Sequence, residues 1–163
     1  TLSPSSAASD VYKRQIVYKQ LHSNDWEGVL RELSRFLFER GYVKDTYEEA
    51  IIKREKEVPT GLEVPGKINV AIPHADVEHV NKEALVINIP DKPIRFKRMD
   101  DPDSFVDVKL ILLLVIKNPD GYVKFLSRLT ELFQDNKFVE LINNKDYDGL
   151  VEYIKEKALF VME

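Results

Sequence analysis

One stretch of the sequence is apolar without interruption, because residues 110–116 read LILLLVI. A strand with one face in water alternates apolar and polar residues, so this continuous run indicates a strand that is buried on both faces. Such a strand belongs in the centre of a sheet that is covered on both sides. We predict that it begins at residue 107, as DVKLILLLVI. The apolar run is far shorter than the roughly 20 residues that a membrane-spanning helix needs.

Two helices are predicted before this strand and three after it. Residues 26–37 carry apolar side chains at helical spacing, and Gly41 is a stop signal. Asp45, with Glu48 three residues later, resembles a capping box and predicts a second helix that ends at Pro59. The later helices are predicted at residues 122–134, at 137–143 behind Asp135, and at 147–158 behind Asp146.

Shorter strands are predicted at residues 68–72 (INVAI), 84–89 (ALVINI) and 94–99 (IRFKRM). The segment between the second helix and the first of these strands reads PTGLEVPGK, and its prolines and glycines predict a loop. Two helices, several strands and three helices in this order predict an α/β fold. We expect a single domain with a mixed β-sheet covered by helices on both faces.

The domain is predicted to span residues 16–163. Residues 1–15, TLSPSSAASDVYKRQ, are mainly small and polar and lack the apolar segment of a signal peptide. We interpret them as a disordered tail or as a remnant of cloning or sequence assembly. Regular structure is expected to begin after Ser23.

Composition narrows the kinds of site that the chain can carry. There is no cysteine, which excludes disulfides, thiolate catalysis and cysteine-ligated metal sites. The formal net charge of -4 argues against a nucleic-acid partner, whose phosphates select a basic face. We expect a cytoplasmic protein with no cofactor and no direct insertion into a membrane.

His74 is the candidate reactive residue, because it follows a proline directly after a predicted strand. Pro73 fixes its own φ and restricts Ile72 to extended geometry, so the imidazole is presented from a stiff support. An imidazole near neutral pH is a competent nucleophile and proton carrier. The alternative is a polar residue at a strand end with no special function.

The segment around His74, REKEVPTGLEVPGKINVAIPHADVEHV, resembles the active-site region of the enzyme IIA component of the bacterial sugar phosphotransferase system. The resemblance is to the fructose and mannitol superfamily, whose pattern is Arg-Glu on a helix, Thr-Gly in the next loop, and a strand ending in Ile-Pro-His. The flanks PTGLEV and PHADVEHV are most similar to the galactitol-type branch. The matching residues are Arg54, Glu55, Thr60, Gly61, Ile72, Pro73 and His74.

This resemblance implies a phosphotransferase that works through a phosphohistidine. Phosphorylated HPr transfers its phosphoryl group to His74, and His74 passes it to a cognate IIB component that serves a membrane IIC permease for galactitol or a related sugar. Such transfer requires another protein to dock, so His74 is expected in a shallow depression rimmed by apolar residues. The alternative is a regulatory, nitrogen-type IIA module that signals through its phosphorylation state.

The resemblance also suggests roles for the motif residues. The planar guanidinium of Arg54 can bind two phosphoryl oxygens at once. Without the resemblance, Arg54 would be interpreted as a solvent-exposed charge on the helix surface. Thr60 and Gly61 supply a hydroxyl and a backbone amide to the phosphoryl group, or they only form the turn. These alternatives stay open at this point.

The sequence departs from the family pattern at one position. Mannitol-type relatives carry a second active-site histidine early in the helix after the central strand, where this chain has Tyr122. Either that histidine is dispensable here, or His79 approaches His74 from the other side. His74, Asp76 and His79 also raise the possibility of a metal site, but their spacing matches no common metal motif, so we expect none. A metal-dependent or acid-base enzyme that uses His74 is a further alternative, disfavoured because no second catalytic group lies at motif spacing.

Overall fold

The computed structural model describes residues 14–120 and 122–159. The helices are α1 (Trp26–Glu39), α2 (Tyr47–Glu57), α3 (Tyr122–Leu132), α4 (Asn136–Asn143) and α5 (Tyr147–Ile154), with a 3-10 turn at Val77–His79 and a π-helical turn at Lys155–Leu159. The strands are β1 (Gln15–Val17), β2 (Gly61–Leu62), β3 (Val70–Ala71), β4 (Ala84–Asn88), β5 (Ile94–Lys97), β6 (Phe105–Val108) and β7 (Leu110–Val115). None of the helices in these two stretches combines the length and apolar character needed to cross a membrane.

The apolar run forms the central strand of a five-stranded sheet. The strand order is β1-β4-β7-β3-β2, and β7 is buried along its whole length. It pairs antiparallel with β4 and parallel with β3, while β1 is parallel to β4 and β2 is antiparallel to β3. The predicted mixed sheet with the apolar run at its centre is therefore confirmed.

Helices cover both faces of this sheet, as the apolar run requires. Leu110, Leu112 and Leu114 point toward the layer formed by α3, α4 and α5. The intervening side chains Ile111 and Leu113 point toward α1, α2 and a two-stranded ribbon made of β5 and β6. Alternation along one strand thus supplies apolar contacts to two cores at once.

The predicted strand at residues 107–116 is divided in two by Lys109. Asp107 and Val108 belong to β6, which pairs with β5, whereas the Lys109 N–H donates to the Asn69 carbonyl, 2.9 Å away, before β7 begins. The expectation of one continuous strand is wrong. Residues in β6 alternate between exposed and buried, while those in β7 are all buried, so the change of pattern marks the break.

Two short strands lie where none was predicted. Gln15–Val17 pairs with Leu85, Val86 and Ile87 at one edge of the sheet, so the expectation that regular structure begins after Ser23 is wrong. Gly61–Leu62, predicted as loop, pairs with β3 at the other edge. A strand of two or three residues is too short to show a period, which explains both omissions. Residues 1–13 of the predicted tail lie outside the described residues.

The predicted helix caps divide into two groups. The Asp135 and Asp146 carboxylates accept the backbone N–H groups of Phe138 and Gly149 at 3.0 and 2.9 Å, as predicted. The capping box expected at Asp45 and Glu48 does not form. Thr46 is the N-cap of α2 and makes no side-chain cap hydrogen bond. Glu48 instead binds arginines of α1, which are Arg31 and Arg35.

Replacing Asp146, which caps α5, and Asp45, which does not cap α2, tests these caps directly. Asp146→Ala removes a hydrogen bond to the first turn of α5 and is expected to lower the free energy of unfolding by about 1 kcal/mol. Asp45→Ala, at an exposed carboxylate that does not cap α2, should change it by less than about 0.5 kcal/mol. Urea unfolding followed by circular dichroism measures both. Equal losses for the two variants would contradict the observed cap.

Candidate active site around His74

His74 is attached to the centre of the sheet by its neighbours. The Pro73 carbonyl accepts the Leu114 N–H of β7 at 3.0 Å, and His74 itself forms a parallel bridge with Leu114. Ile72 and Pro73 are buried, while His74 is half-buried. The imidazole therefore projects from backbone that is held against the buried central strand.

The hydrogen bond of the His74 ring decides which nitrogen is free to react. Nδ1 lies 3.1 Å from the carbonyl oxygen of Ile72. Because a carbonyl can only accept, Nδ1 carries the proton and donates it, which leaves the lone pair on Nε2. Burial lowers the pKa of His74, and the charge of Arg54 lowers it further, against the Ile72 carbonyl and Asp76. The ring is therefore neutral near pH 7, with Nε2 as the nucleophilic atom.

Arg54, in the last turn of α2, is the cation of this site. Its Nη1 lies 3.3 Å from Oδ1 of Asp76, two residues beyond His74. Its Nε is buried and has no hydrogen-bond partner in the described part of the chain. The predicted site residues Arg54 and His74 are thus brought together, and Arg54 retains donor capacity beside the imidazole.

Tyr122 reaches the same site from the opposite layer of the sheet. It is the first residue of α3, and its ring centroid lies 6.4 Å from that of His74 with the planes inclined at 53°. Burial raises its pKa, against the nearby charge of Arg54, so the phenol is protonated near neutral pH and can donate. The described part of the chain contains no hydrogen-bond partner for this hydroxyl. The sequence drew attention to Tyr122 only because mannitol-type relatives have their second histidine near this position.

The His79 ring interacts with Thr46 and Glu78 rather than with His74. Its Nδ1 lies 2.7 Å from the Thr46 hydroxyl, and its Nε2 lies 3.6 Å from the Glu78 carboxylate. Thr46 begins α2 and Arg54 lies in its last turn, so they are about 12 Å apart along the helix axis. Within residues 14–120 and 122–159, no hydrogen bond or ring contact joins His79 to His74. The same stretches contain no group of three His, Asp or Glu residues arranged to hold a metal ion.

Thr60 and Gly61 are occupied in shaping the loop after α2. The Thr60 hydroxyl and N–H both donate to the buried Glu55 carboxylate, at 2.9 and 2.8 Å. A Cβ on Gly61 would lie 2.5 Å from the carbonyl oxygen of Lys97, so only glycine allows this close approach to β5. The structure favours the turn-forming alternative for both residues.

Adjacent residues on α2 therefore serve different purposes. Side chains one position apart on a helix point about 100° apart, so Arg54 faces the site while Glu55 enters the core. Burial raises the pKa of Glu55 to about 7, although the hydrogen bonds from Thr60 oppose this shift. Glu55 matched the family pattern, but the sequence indicated no role for it; the structure shows that it anchors the loop.

Part of the surface on the segments around His74 is apolar. Exposed aliphatic side chains lie on each segment that contributes to the site: Val58 ends α2, Val77 follows His74, and Val123 follows Tyr122. A groove of about 610 Å³ runs along α1 between Tyr18 and Arg40, and none of the predicted site residues lines it. His74 therefore lies outside that groove.

The raised pKa of Glu55 predicts how the stability of the fold depends on pH. Its carboxyl binds a proton more tightly in the folded chain, with a pKa of about 7, than at the ordinary value of 4.5. The folded state therefore holds the extra proton between these values, and stability falls as pH rises through that window, by up to about 1.4 kcal/mol per pH unit. Glu55→Gln should remove this part of the slope in urea unfolding. The exposed Glu57→Gln is the control and should retain it; a slope unchanged in both variants would refute the assignment.

Known proteins resemble the chain over most of its length. A family-wide sequence model described as "Phosphoenolpyruvate-dependent sugar phosphotransferase system, EIIA 2" matches residues 11–157. The galactitol-specific EIIA component of the phosphotransferase system of Escherichia coli (strain K12) is 31% identical to the chain over 135 residues, which cover 83% of the chain and 89% of that protein.

Solved structures show the same fold. The crystal structure of IIA mannitol from Escherichia coli matches with a TM-score of 0.63 and 22% identity, over 88% of this chain and 96% of that one. A complex of enzyme IIA and phosphorylated enzyme IIB for mannitol, also from Escherichia coli, matches with a TM-score of 0.61 and 22% identity, over 85% of this chain and 99% of that one.

Proposed function

Because the chain belongs to the EIIA 2 family of the phosphoenolpyruvate-dependent sugar phosphotransferase system, we propose that it is a phosphocarrier. His74 accepts a phosphoryl group from phosphorylated HPr and passes it to a cognate IIB component, which serves a membrane IIC permease. The identity to a galactitol-specific component supports galactitol or a related sugar. The relative solved with phosphorylated IIB supports the receiving partner.

The observation that carries this proposal is the hydrogen bond from Nδ1 of His74 to the Ile72 carbonyl. It leaves the lone pair of Nε2 free to attack phosphorus. The new Nε2–P bond forms while the P–N bond of the donor histidine breaks, and that bonding pair returns to the donor ring. The Nδ1 proton stays in place throughout, so the reverse sequence delivers the phosphoryl group to IIB.

Arg54 and Tyr122 stabilise the group in transfer. Phosphoryl transfer is catalysed mainly by positioning and by donors placed where negative charge develops. The guanidinium approaches from α2, and the protonated phenol approaches from α3. Tyr122 thus takes the position that a second histidine has in mannitol-type relatives, and His79, bound to Thr46, is left outside the reaction.

The apolar rim supports a protein as the second substrate. A transferred phosphoryl group must be shielded from water, and exposed aliphatic side chains are buried when a partner docks. Val58, Val77 and Val123 supply such surface on the three segments that carry Arg54, His74 and Tyr122. A docking partner therefore covers the reactive nitrogen when it buries them.

Phosphorylation by purified components tests the proposal. Phosphoenolpyruvate, enzyme I and HPr should add one acid-labile phosphoryl group to the protein, measured by intact mass and by phosphorus NMR. His74→Ala should remove it completely, since His22 is paired with the Glu32 carboxylate and His79 with the Thr46 hydroxyl, whereas His74 lies near Arg54 and Tyr122. His79→Ala should still be labelled at a similar rate. A fully labelled His74→Ala protein would place the acceptor elsewhere.

A second step separates transport from regulation, because both use the same phosphohistidine. The phosphorylated protein is mixed with a galactitol-type IIB component, and the label on IIB is followed over time. We expect the phosphoryl label to move from the protein to IIB during this time course. A phosphoprotein that keeps its label in the presence of IIB would favour the regulatory alternative.

Tyr122→Phe tests whether the Tyr122 hydroxyl stabilises the phosphoryl group during transfer. Loss of one neutral donor is expected to slow transfer from HPr by about three- to tenfold, while the fold and the final extent of labelling stay the same. Rapid-quench measurement of labelling gives the rate. Tyr42→Phe, at the end of α1, is the matched control and should react like the unmodified protein. Identical rates for all three proteins would exclude Tyr122 from the transition state.

A further inference from the structure

Asp76 is paired with the cation that the phosphoryl group needs. We propose that Asp76 is a positioning residue that holds Arg54 in the unphosphorylated carrier and releases it when His74 is phosphorylated, which makes the phosphoryl group easier to pass on. This inference rests on the proposed function and assigns a role to a residue that the sequence associated only with a metal site.

The geometry of the ion pair suits an exchangeable contact. The Arg54 Nη1 to Asp76 Oδ1 distance is 3.3 Å, longer than the roughly 2.7–2.9 Å of a strong charge-assisted hydrogen bond. The Asp76 side chain is 69% exposed, so water replaces the guanidinium at little cost. The buried Nε of Arg54 has no partner in the described chain, so the guanidinium is incompletely satisfied in this state.

Asp76 has no competing structural task in its side chain. It precedes the 3-10 turn at Val77–His79, and its backbone carbonyl accepts the His79 N–H at 3.2 Å. Its carboxylate makes no cap hydrogen bond to that turn. The backbone therefore supports the turn, while the carboxylate is free to exchange partners.

Both charges act on the reactive ring. Besides burial, which has the largest effect, Arg54 lowers and Asp76 raises the pKa of His74, so both lie within electrostatic range. A phosphoryl group on Nε2 brings a charge of about -1.5 to -2 and three strong acceptor oxygens, so it outcompetes one carboxylate for the guanidinium. The displaced Asp76 is then an unpaired anion beside an anionic group. Its competition for Arg54 raises the free energy of the phosphorylated state.

The equilibrium with HPr measures this effect. Asp76→Asn keeps the shape of the side chain but removes the charge, and we expect the ratio of phosphorylated to unphosphorylated carrier to rise about two- to fivefold at fixed phospho-HPr. Glu78→Gln, two residues further along the same segment, is the charge-matched control and should leave the ratio unchanged. An unchanged ratio in Asp76→Asn would overturn the proposal.

A double-mutant comparison separates competition for Arg54 from simple repulsion. If Asp76 acts through Arg54, Asp76→Asn should have a clearly smaller effect when Arg54 is already replaced by Gln. If the shift is equally large in the Arg54→Gln background, Asp76 acts by repulsion alone and the positioning role is wrong.

NMR gives a readout that does not depend on HPr. His74 is phosphorylated with phosphoramidate, whose N–P bond breaks as Nε2 bonds to phosphorus and ammonia leaves. The Arg54 Nε–H signal should differ between unmodified protein and Asp76→Asn before phosphorylation, and should coincide in the two phosphorylated proteins. A signal that is insensitive to phosphorylation would refute the exchange. Failure of labelling by HPr alone would instead count against the proposed function.

Discussion

The burial of β7 on both faces is the constraint on which the rest of the molecule depends. A strand without a polar face has to be covered twice, so helices on either side of the sheet and the β5–β6 ribbon are required together. The same strand holds the reactive segment, because the Leu114 N–H binds the Pro73 carbonyl immediately before His74. The imidazole is therefore attached to backbone that is fixed to the buried centre of the sheet.

The site forms where the two covering layers meet the end of β3. Arg54 comes from α2 on one face, and Tyr122 comes from α3 on the other, so neither layer alone contains the site. Buried carboxylates hold the loops that bring them there. Glu55 binds the Thr60 loop after α2, and Glu83 accepts the N–H groups of Lys117 and Asn118 before α3. The hydrogen bonds to these internal carboxylates come from backbone N–H groups and, for Glu55, also from the Thr60 hydroxyl.

In the proposed phosphocarrier, the charges around His74 suit a temporary phosphoryl group rather than a permanent one. Burial and Arg54 keep the imidazole neutral and nucleophilic, while Asp76 opposes the accumulation of negative charge. A site with Arg54 alone would bind the phosphoryl group more strongly and release it less readily. The exposed aliphatic side chains Val58, Val77 and Val123 suit the same proposed role, in which donor and acceptor each dock and leave.

Local sequence pattern determined the elements that extend over several periods, which are the central strand and the five helices. It also determined the stiff Pro73-His74 junction, because proline restricts its own backbone and that of the residue before it. The short strands β1 and β2 were not predictable, since two or three residues show no period and they exist only by pairing with β4 and β3. The capping box at Asp45 failed because Glu48 gains more from two arginines of α1. The resemblance indicated Arg54 and His74, but their contact with Asp76 and Tyr122 was decided by tertiary structure alone. Arg54 and Tyr122 are far from His74 along the chain, and the covering of β7 from both sides brings them to it beyond the end of β3.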